Sequence, residues 1–314
     1  MEEALYSQFG FFNTDLVRSA KKGDFLTSPE VSIYFGKILR NWINNSCNLN
    51  KIVEIGSGTG SLIEQIGIKE ITAIELSSTA REELINKGIM THTNVNELTL
   101  EKSELVFGNE ILDNVPCSIG IYRDKVWYEK VVAIQENSFS YDIKPIRNEE
   151  LDWINKNNIV PNEDHELEIQ VNIDKFLNTV IKKISPKNIL LFDYGYEQAN
   201  REKRKYNSFL RTYKNHHLSV DPIEDPGNID ITYDVNFSSL SRELKTLGYD
   251  VTLKLQRNFL LENGFDIIFD ELQEKYLVAD GMEKLKINSE LNGLKAIVDS
   301  NGLGGFYCLN AQKL

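Results

Sequence analysis

A short apolar strand, a glycine turn and a helix start follow one another at residues 52–64, and a second strand ends in an acid nineteen residues beyond the first turn glycine. These two observations predict an open α/β sheet of the Rossmann-like kind. A third sets its type. The turn reads E-x-G-x-G-x-G, from Glu54 through Gly56, Gly58 and Gly60, and not the G-x-G-x-x-G that grips a pyrophosphate. Glycine lets the backbone come close to a ligand, and the start of the next helix turns free N–H groups toward it. Glu54, inside the strand end, would repel a phosphate but suits an ammonium group, held directly or through water. The second strand, 71–76, places Glu75 where a carboxylate can accept both hydroxyls of a ribose. S-adenosylmethionine (SAM) offers an ammonium and no phosphate. The signals together predict a class I, SAM-type domain.

Composition bounds the rest. The chain has 314 residues, 41% of them hydrophobic, enough for a large α/β core with an insertion. No apolar run approaches the roughly 20 residues of a membrane span. The start, MEEALYSQFGFF, is acidic and has neither a basic leader nor an Arg-rich amphipathic stretch, so no secretory or mitochondrial targeting segment is expected. Three dispersed cysteines, Cys47, Cys117 and Cys308, form no C-x-x-C pair and argue against a zinc site or a disulfide framework. That pattern sets the expectation of a cytoplasmic location and no metal. The net charge of −12 argues against broad nucleic-acid binding, where a basic face would be expected.

Taken in order, residues 1–46 read as a helical cap segment. Thr27 and Ser28 are good capping residues and Pro29 suits a first turn, so a helix is expected over 29–44 with Val31, Ile33, Tyr34, Ile38 and Trp42 on one face. Residues 47–116 and 185–314 read as the Rossmann-like core. After the second strand come a helix over 81–87, a weak strand near 89–92 and a fourth strand over 104–110, ending in Asn109-Glu110. Ligands of open α/β sheets sit outside the carboxyl ends of the strands, so polar side chains at that end face the group being transferred. Residues 117–184 form an inserted subdomain, with alternating β-hairpin runs over 119–122, 126–134 and 138–143, a helix over 149–157, a strand over 165–171 and a helix over 173–184. The fifth core strand, 189–193, ends in Asp193. Residues 196–237 read as a loop insertion holding Arg201, Lys203, Arg204, Lys205 and Arg211, the pair His216-His217 and Asp225-Pro226-Gly227. Such a basic cluster is usually a solvated face. A helix over 238–247, a strand over 249–255, two helical stretches and a last strand over 305–310 complete the pattern.

With these motifs in view, the chain resembles the MidA-like (DUF185-type) SAM-dependent methyltransferases, the family that includes the mitochondrial complex I assembly arginine methyltransferase. The resemblance runs nearly end to end. It is carried by Gly10-Phe11-Phe12, GDFLTSPE from Gly23, Ser32 with Phe35-Gly36, EIGSGTGSL from Glu54, NEILDNVP from Asn109, Asp193-Tyr194-Gly195, DPGNIDITYDVNF from Asp225, Gln256 with Phe259-Leu260, and Gly305-Phe306. Ser57 and Thr59 stand where the family usually has Pro and Arg. The resemblance implies a class I methyltransferase fold and, as its best-known activity, symmetric dimethylation of a protein arginine. It also implies, with the physical reason that a capping segment excludes water from the sulfonium, that Thr27, Ser28 and Glu30 lie beside the cofactor. The cofactor set expected is therefore Thr27, Ser28, Glu30, Glu54, Gly56, Gly58, Gly60, Glu75 and Asn109.

Methyl transfer from a sulfonium is an in-line displacement, so positioning the nucleophile supplies most of the catalysis. An arginine nucleophile also needs carboxylates to hold its guanidinium. Glu110 and Asp113, three apart and on one face if a helix starts at Glu110, are the expected pair, with Asp193 as the third. A hydroxyl acceptor would instead want a base such as His217. A small metabolite or natural-product acceptor would suit the aromatic insertion at Trp127 and Tyr128. A non-catalytic assembly factor is the remaining reading, and the intact Glu54, glycine turn and Glu75 weigh against it.

Overall fold

A computed structural model describes residues 1–13, 27–99, 102–136, 138–203, 210–214, 217–218 and 221–314. Gly23 to Leu26 of the GDFLTSPE motif, Arg204, Lys205 and His216, and the side chains of Lys203 and His217, lie outside the described residues. The chain divides into two compact units, one of residues 15–111, 180–194 and 244–314, the other of residues 1–14, 112–179 and 195–243.

The first unit is built on a seven-stranded sheet. Its strands are β1 (Ile52–Ile55), β2 (Ile71–Ile74), β3 (Thr91–His92), β4 (Leu105–Asn109), β5 (Asn188–Asp193), β6 (Tyr249–Leu255) and β7 (Tyr307–Lys313). The order across the sheet is β6-β7-β5-β4-β1-β2-β3. β1 pairs in parallel with β2 and β4, β2 with β3, and β4 with β5, whereas β7 runs antiparallel to both β5 and β6. All four residues of β1 are buried, as a central parallel strand covered on both faces requires. The chain leaves β1 toward β2 and β3 on one side and returns to β4 and β5 on the other. The carboxyl ends of β1 and β4 therefore flank the switch point at which open α/β sheets hold ligands.

Phe35, Ile38, Leu39 and Ile43 of the helix Tyr34–Ser46 share a core with Ile52, Phe107, Leu190 and Phe192 of the sheet. Phe192 meets Phe35 and Phe259 edge to face, both at 5.2 Å between ring centres. Burying one such ring contributes about 1.5–3 kcal/mol. The helix expected over 29–44 is two helices, Ser28–Val31 and Tyr34–Ser46, because Ser32 adopts extended backbone and its hydroxyl accepts from Tyr34 N at 3.3 Å. Beyond β6, three helices stand where two stretches are expected: Gln256–Glu262, Phe265–Val278 and Gly281–Ala296. Gly264, at φ +110, separates the first two, and Gly281, at φ +51, opens the third. The helix expected from Glu110 does not form. Glu110 sits in the left-handed region at φ +54, and the chain continues as turn and coil to Cys117.

The second unit carries a four-stranded antiparallel sheet in the order Ser138–Pro145, Val126–Gln135, Ser118–Arg123, Glu166–Ile169. Asp124 and Lys125 take φ +52 and +64, as the tight turn of a right-twisted hairpin demands. Trp153 and Ile154 of the helix Asn148–Lys156 bury against Leu167 and Ile169. In the same unit Tyr233 N donates to the Asp113 carbonyl at 3.1 Å, Asn114 Nδ2 to Asp230 Oδ1 at 3.0 Å, and the Tyr233 hydroxyl to the Val115 carbonyl at 2.7 Å. The DNVP and DIT motifs are thus tied to each other. Among the described residues no helix is long and apolar enough to cross a membrane.

Candidate functional site

The glycine turn after β1 needs glycine at all three positions. Gly56, Gly58 and Gly60 adopt φ +69, +51 and +83, where a side chain costs about 1–2 kcal/mol. Space is limiting too: a Cβ on Gly56 would fall 2.4 Å from Ile111 Cγ2, and one on Gly60 2.7 Å from Leu84 Cδ2. Two N–H groups of the turn itself are engaged. Gly58 N donates to Glu75 Oε2 at 2.8 Å and Gly60 N to the Ser57 carbonyl at 2.9 Å. A carboxylate thus stands where a phosphate-binding loop keeps bare N–H groups, which disfavours an anion at the mouth of the turn.

Glu75, at the end of β2, accepts from Gly58 N through one oxygen and from Ser77 N, at 2.8 Å, through the other. Each oxygen keeps a further lone pair, so the carboxylate can still accept a pair of hydroxyls. Burial pushes its carboxyl upward, against the pull of the Ser77 and Gly58 N–H groups and of the Arg81 guanidinium. Arg81 itself donates to the Glu75 carbonyl at 2.9 Å. Glu54 is 2% exposed, and its Oε2 is buried without a hydrogen-bond partner. Burial holds its carboxyl well above the usual carboxylate range, the Ser57 hydroxyl opposes this, and the nearby Glu75 adds to it. A buried acid with no cation beside it is costly unless a ligand supplies one. The ammonium of SAM is such a cation, and a ribose suits Glu75. These residues fit the group.

Thr27 and Glu30 form a capping box on the helix Ser28–Val31, with Glu30 Oε2 accepting from Thr27 N at 3.2 Å. Ser28 is fully buried, and its hydroxyl accepts from Gln256 Nε2 at 3.0 Å, while that same amide donates to the Ile297 carbonyl at 2.9 Å. Gln65, on the helix Ser61–Ile66 that leaves the glycine turn, donates to the Pro29 carbonyl at 2.6 Å and accepts from Gly36 N at 3.2 Å. The segment is therefore held against the helix that starts at the turn. Gln65 carried no signal in the sequence. Neither did Lys87, whose Nζ reaches the Thr59 carbonyl and Glu64, both at 2.7 Å, and so braces the turn from behind.

At the carboxyl end of β4, Asn109 Nδ2 donates to Glu110 Oε1 at 2.9 Å. Glu110 N donates to the Phe192 carbonyl at 2.8 Å, extending the β4–β5 ladder by one residue. Asp193 is fully buried; its two oxygens accept from Ile111 N at 3.1 Å and Tyr194 N at 2.9 Å. It fixes the turn that carries Glu110. Ile111 in turn packs over Gly56 and Gly108, closing the space between the ends of β1 and β4. Asp113, expected as the partner of Glu110, belongs to the other unit, where it is 4% exposed. With no helix at Glu110, the shared face expected of the two acids is absent. Among the described residues no group of three or more His, Cys, Asp or Glu could hold a metal.

A sheet ordered 6-7-5-4-1-2-3 with one antiparallel strand, and an acid–glycine cradle at its switch point, define a class I SAM-dependent methyltransferase. Residues 36–253, well over half of the chain, match the family described as "Putative S-adenosyl-L-methionine-dependent methyltransferase", and the chain belongs to that family. SAM is its methyl donor. The protein arginine methyltransferase NDUFAF7 homolog of Caenorhabditis elegans is 25% identical over 83% of this chain and 70% of its own length. The Rattus norvegicus protein arginine methyltransferase NDUFAF7 is 25% identical over 81% of this chain and 67% of its own. A solved Burkholderia thailandensis protein bound to S-adenosyl-homocysteine shares the fold at a TM-score of 0.85, with 23% identity, over 99% of this chain and 86% of that one. The cytoplasmic location expected from the sequence is corrected by these relatives, both of which are named as mitochondrial. Free, dispersed cysteines fit a reducing compartment and do not single out the cytoplasm.

Proposed function

We propose that the methyl acceptor is an arginine side chain of a partner protein. The observation that carries this reading is Glu110, a half-buried carboxylate at the carboxyl end of β4, held by Asn109 and placed on left-handed backbone at φ +54. A non-glycine residue in that region costs about 1–2 kcal/mol, and such strain persists where a site needs the side chain aimed. A guanidinium is a planar cation whose N–H fork matches a carboxylate. The names of the two relatives, both protein arginine methyltransferases, support the same reading.

Each residue then has a role. Glu54 holds the ammonium, Glu75 the ribose, and the three glycines let the backbone approach. When bound, SAM supplies the methyl carbon that the acceptor nitrogen attacks, with the C–S bonding pair staying on sulfur. Glu110 holds the guanidinium and takes the proton that the nitrogen sheds, passing it to water. Asp193 is a positioning residue, acting through Ile111 N and the turn it fixes. The Thr27–Glu30 segment shields the cradle from water. Mass spectrometry of cells with and without the gene tests the reading: one arginine-linked methyl mark on a protein should vanish with the gene. Loss of a methylated small molecule, with every protein mark intact, would replace it.

A further inference from the structure

The four-stranded sheet of the second unit leaves part of one face open. Side chains alternate from face to face along a strand, so the paired residues Ile134 and Phe139, Val132 and Tyr141, and Lys130 and Ile143 share a face. Trp127, Leu167 and Ile169 stand on the opposite face, which packs against Trp153 and Ile154 of the helix Asn148–Lys156. On the open face Ile134 is 75% exposed, Val132 53%, Phe139 47%, Ile143 39% and Tyr141 37%. These five side chains form a strip two strands wide and about 14 Å long. A contiguous apolar strip edged by polar groups marks an interaction surface, as scattered exposed apolar residues do not.

Charge decides the occupant. Among the described residues, the cation on the strip is Lys130, and it is already engaged. Its Nζ lies 2.6 Å from Glu166 Oε1 and 4.0 Å from the centre of the Tyr141 ring. The rim is acidic. The Tyr141 hydroxyl donates to Asp221, and Glu224 N donates to the Asp221 carbonyl at 3.0 Å, which puts both acids on one turn beside the strip. Glu136 follows Gln135, whose pairing with Ser138 closes the hairpin next to Ile134 and Phe139. All three acids are exposed. A rim of one sign attracts cations and repels a nucleic acid or an anionic lipid surface. It also repels a second copy of this chain, whose net charge is −12. Area gives the same answer: a stable pair of folded proteins buries about 800 Å² on each partner, over roughly 20–30 residues, far more than this strip offers. The outer edge of the sheet is blunted as well. Asp142 Oδ1 accepts from Ile143 N at 2.8 Å and Pro145 has no N–H, which favours an occupant lying across the face over an added strand.

We infer that this strip is a docking surface for a short segment of the methyl-accepting protein, one that carries apolar and cationic side chains together. The apolar side chains of the segment cover Ile134, Val132, Phe139 and Ile143, and its cations meet Asp221, Glu224 and Glu136. Recognition of this kind holds the acceptor protein through residues other than the one that is methylated. The inference deepens the proposed reading and rests on it in taking the acceptor to be a protein.

Fluorescence anisotropy on the full chain tests it with two labelled octapeptides, one alternating leucine with lysine and the other alternating leucine with glutamate. Neither contains arginine, so their binding does not depend on the arginine reading. The lysine peptide should bind at least about tenfold tighter than the glutamate peptide at low salt, with the gap shrinking as salt is added. Ile134→Ser and Phe139→Ser, made separately at two exposed positions, should each weaken the lysine peptide by about fivefold to tenfold and leave SAM binding unchanged. Asp221→Asn combined with Glu224→Gln should narrow the preference for lysine. Lysine-peptide binding that both serine variants leave intact would overturn the inference, as would equal binding of the glutamate peptide. A dimer in sedimentation, or capture by phosphatidylglycerol vesicles, that Ile134→Ser abolishes would give the strip to another occupant and overturn it too. With labelled SAM and protein extract as acceptor, Ile134→Ser should raise the extract concentration for half-maximal transfer by about the same factor and keep the maximal rate. Label that never reaches arginine would end the arginine reading and leave the peptide result standing. Label on arginine that Ile134→Ser forms as fast as wild type at limiting extract would end the docking inference alone.

Discussion

The proposed contact between Glu54 and the ammonium of SAM would make cofactor binding a proton-exchange reaction. In the free protein its buried carboxyl stays protonated well above the ordinary carboxylate range, because burial penalises the charge and Glu75 adds to it. Holding an ammonium requires the ionised form, so SAM must displace one proton. Below the raised pKa of Glu54 the affinity should therefore climb tenfold per pH unit, about 1.4 kcal/mol each. The climb should be measurable from the ordinary carboxylate range upward, where the α-ammonium of the ligand stays charged. Calorimetry in two buffers of different ionisation heat should count close to one proton released per SAM bound. Glu54→Gln should flatten the pH profile and weaken binding by roughly 10- to 100-fold at its upper end, the scale of a hydrogen bond to a charged group. The two proteins should converge at its acid end. The same shift acts on folding with a definite sign. A carboxyl raised in the folded state binds its proton more tightly there, so the ligand-free protein loses stability as pH rises from about 4.3, the unfolded value, through the folded one. Glu54→Gln should remove part of that loss. Wild-type affinity that is flat with pH, and no proton released, would refute the reasoning.

Gly58→Val should abolish SAM binding while the chain still folds, since Gly58 takes φ +51 and its N–H anchors Glu75; circular dichroism and calorimetry on one preparation check both halves. Glu110→Gln keeps the shape and removes a charge, so turnover should fall by ~10²-fold or more with SAM affinity nearly unchanged. Normal turnover in that variant would remove Glu110 from the mechanism. Asp193→Asn sets an NH₂ against a backbone N–H and should cost about 1–3 kcal/mol of stability, seen as a lower Tm, in addition to slowing transfer. An unchanged Tm would contradict its assignment as the anchor of the Glu110 turn. Ser28→Ala should lower stability through Gln256 and leave SAM affinity within a few-fold; a loss of affinity with Tm intact would place Ser28 in contact with the ligand.

The sheet is legible in the sequence because its strands are short apolar runs closed by polar residues. Glu54, Glu75, Asn109 and Asp193 each stand at or beside a strand end, and the glycine spacing distinguishes a SAM cradle from a pyrophosphate loop. What was not legible came from long-range contacts. Ser32 breaks the expected helix by bonding Tyr34 N, and no propensity marks that serine apart from any other. Ile111-Leu112-Asp113-Asn114 is compatible with a helix after Glu110, yet Asp193, 83 residues beyond Glu110, takes the Ile111 N–H and turns the chain instead. Gln65 and Lys87 brace the turn through backbone carbonyls far away in sequence, a partnership no local pattern encodes. Asp193 was readable as a polar strand end but not as an anchor, because its role depends on which N–H groups the fold brings to it.

Transfer of a labelled methyl group from SAM into protein extract, followed by acid hydrolysis and separation of the amino acids, tests the central claim most directly. Label is expected in methylarginine, present with the wild-type protein and nearly absent with Glu110→Gln. Label found in a small-molecule fraction, or on lysine or a carboxyl group with none on arginine, would contradict it.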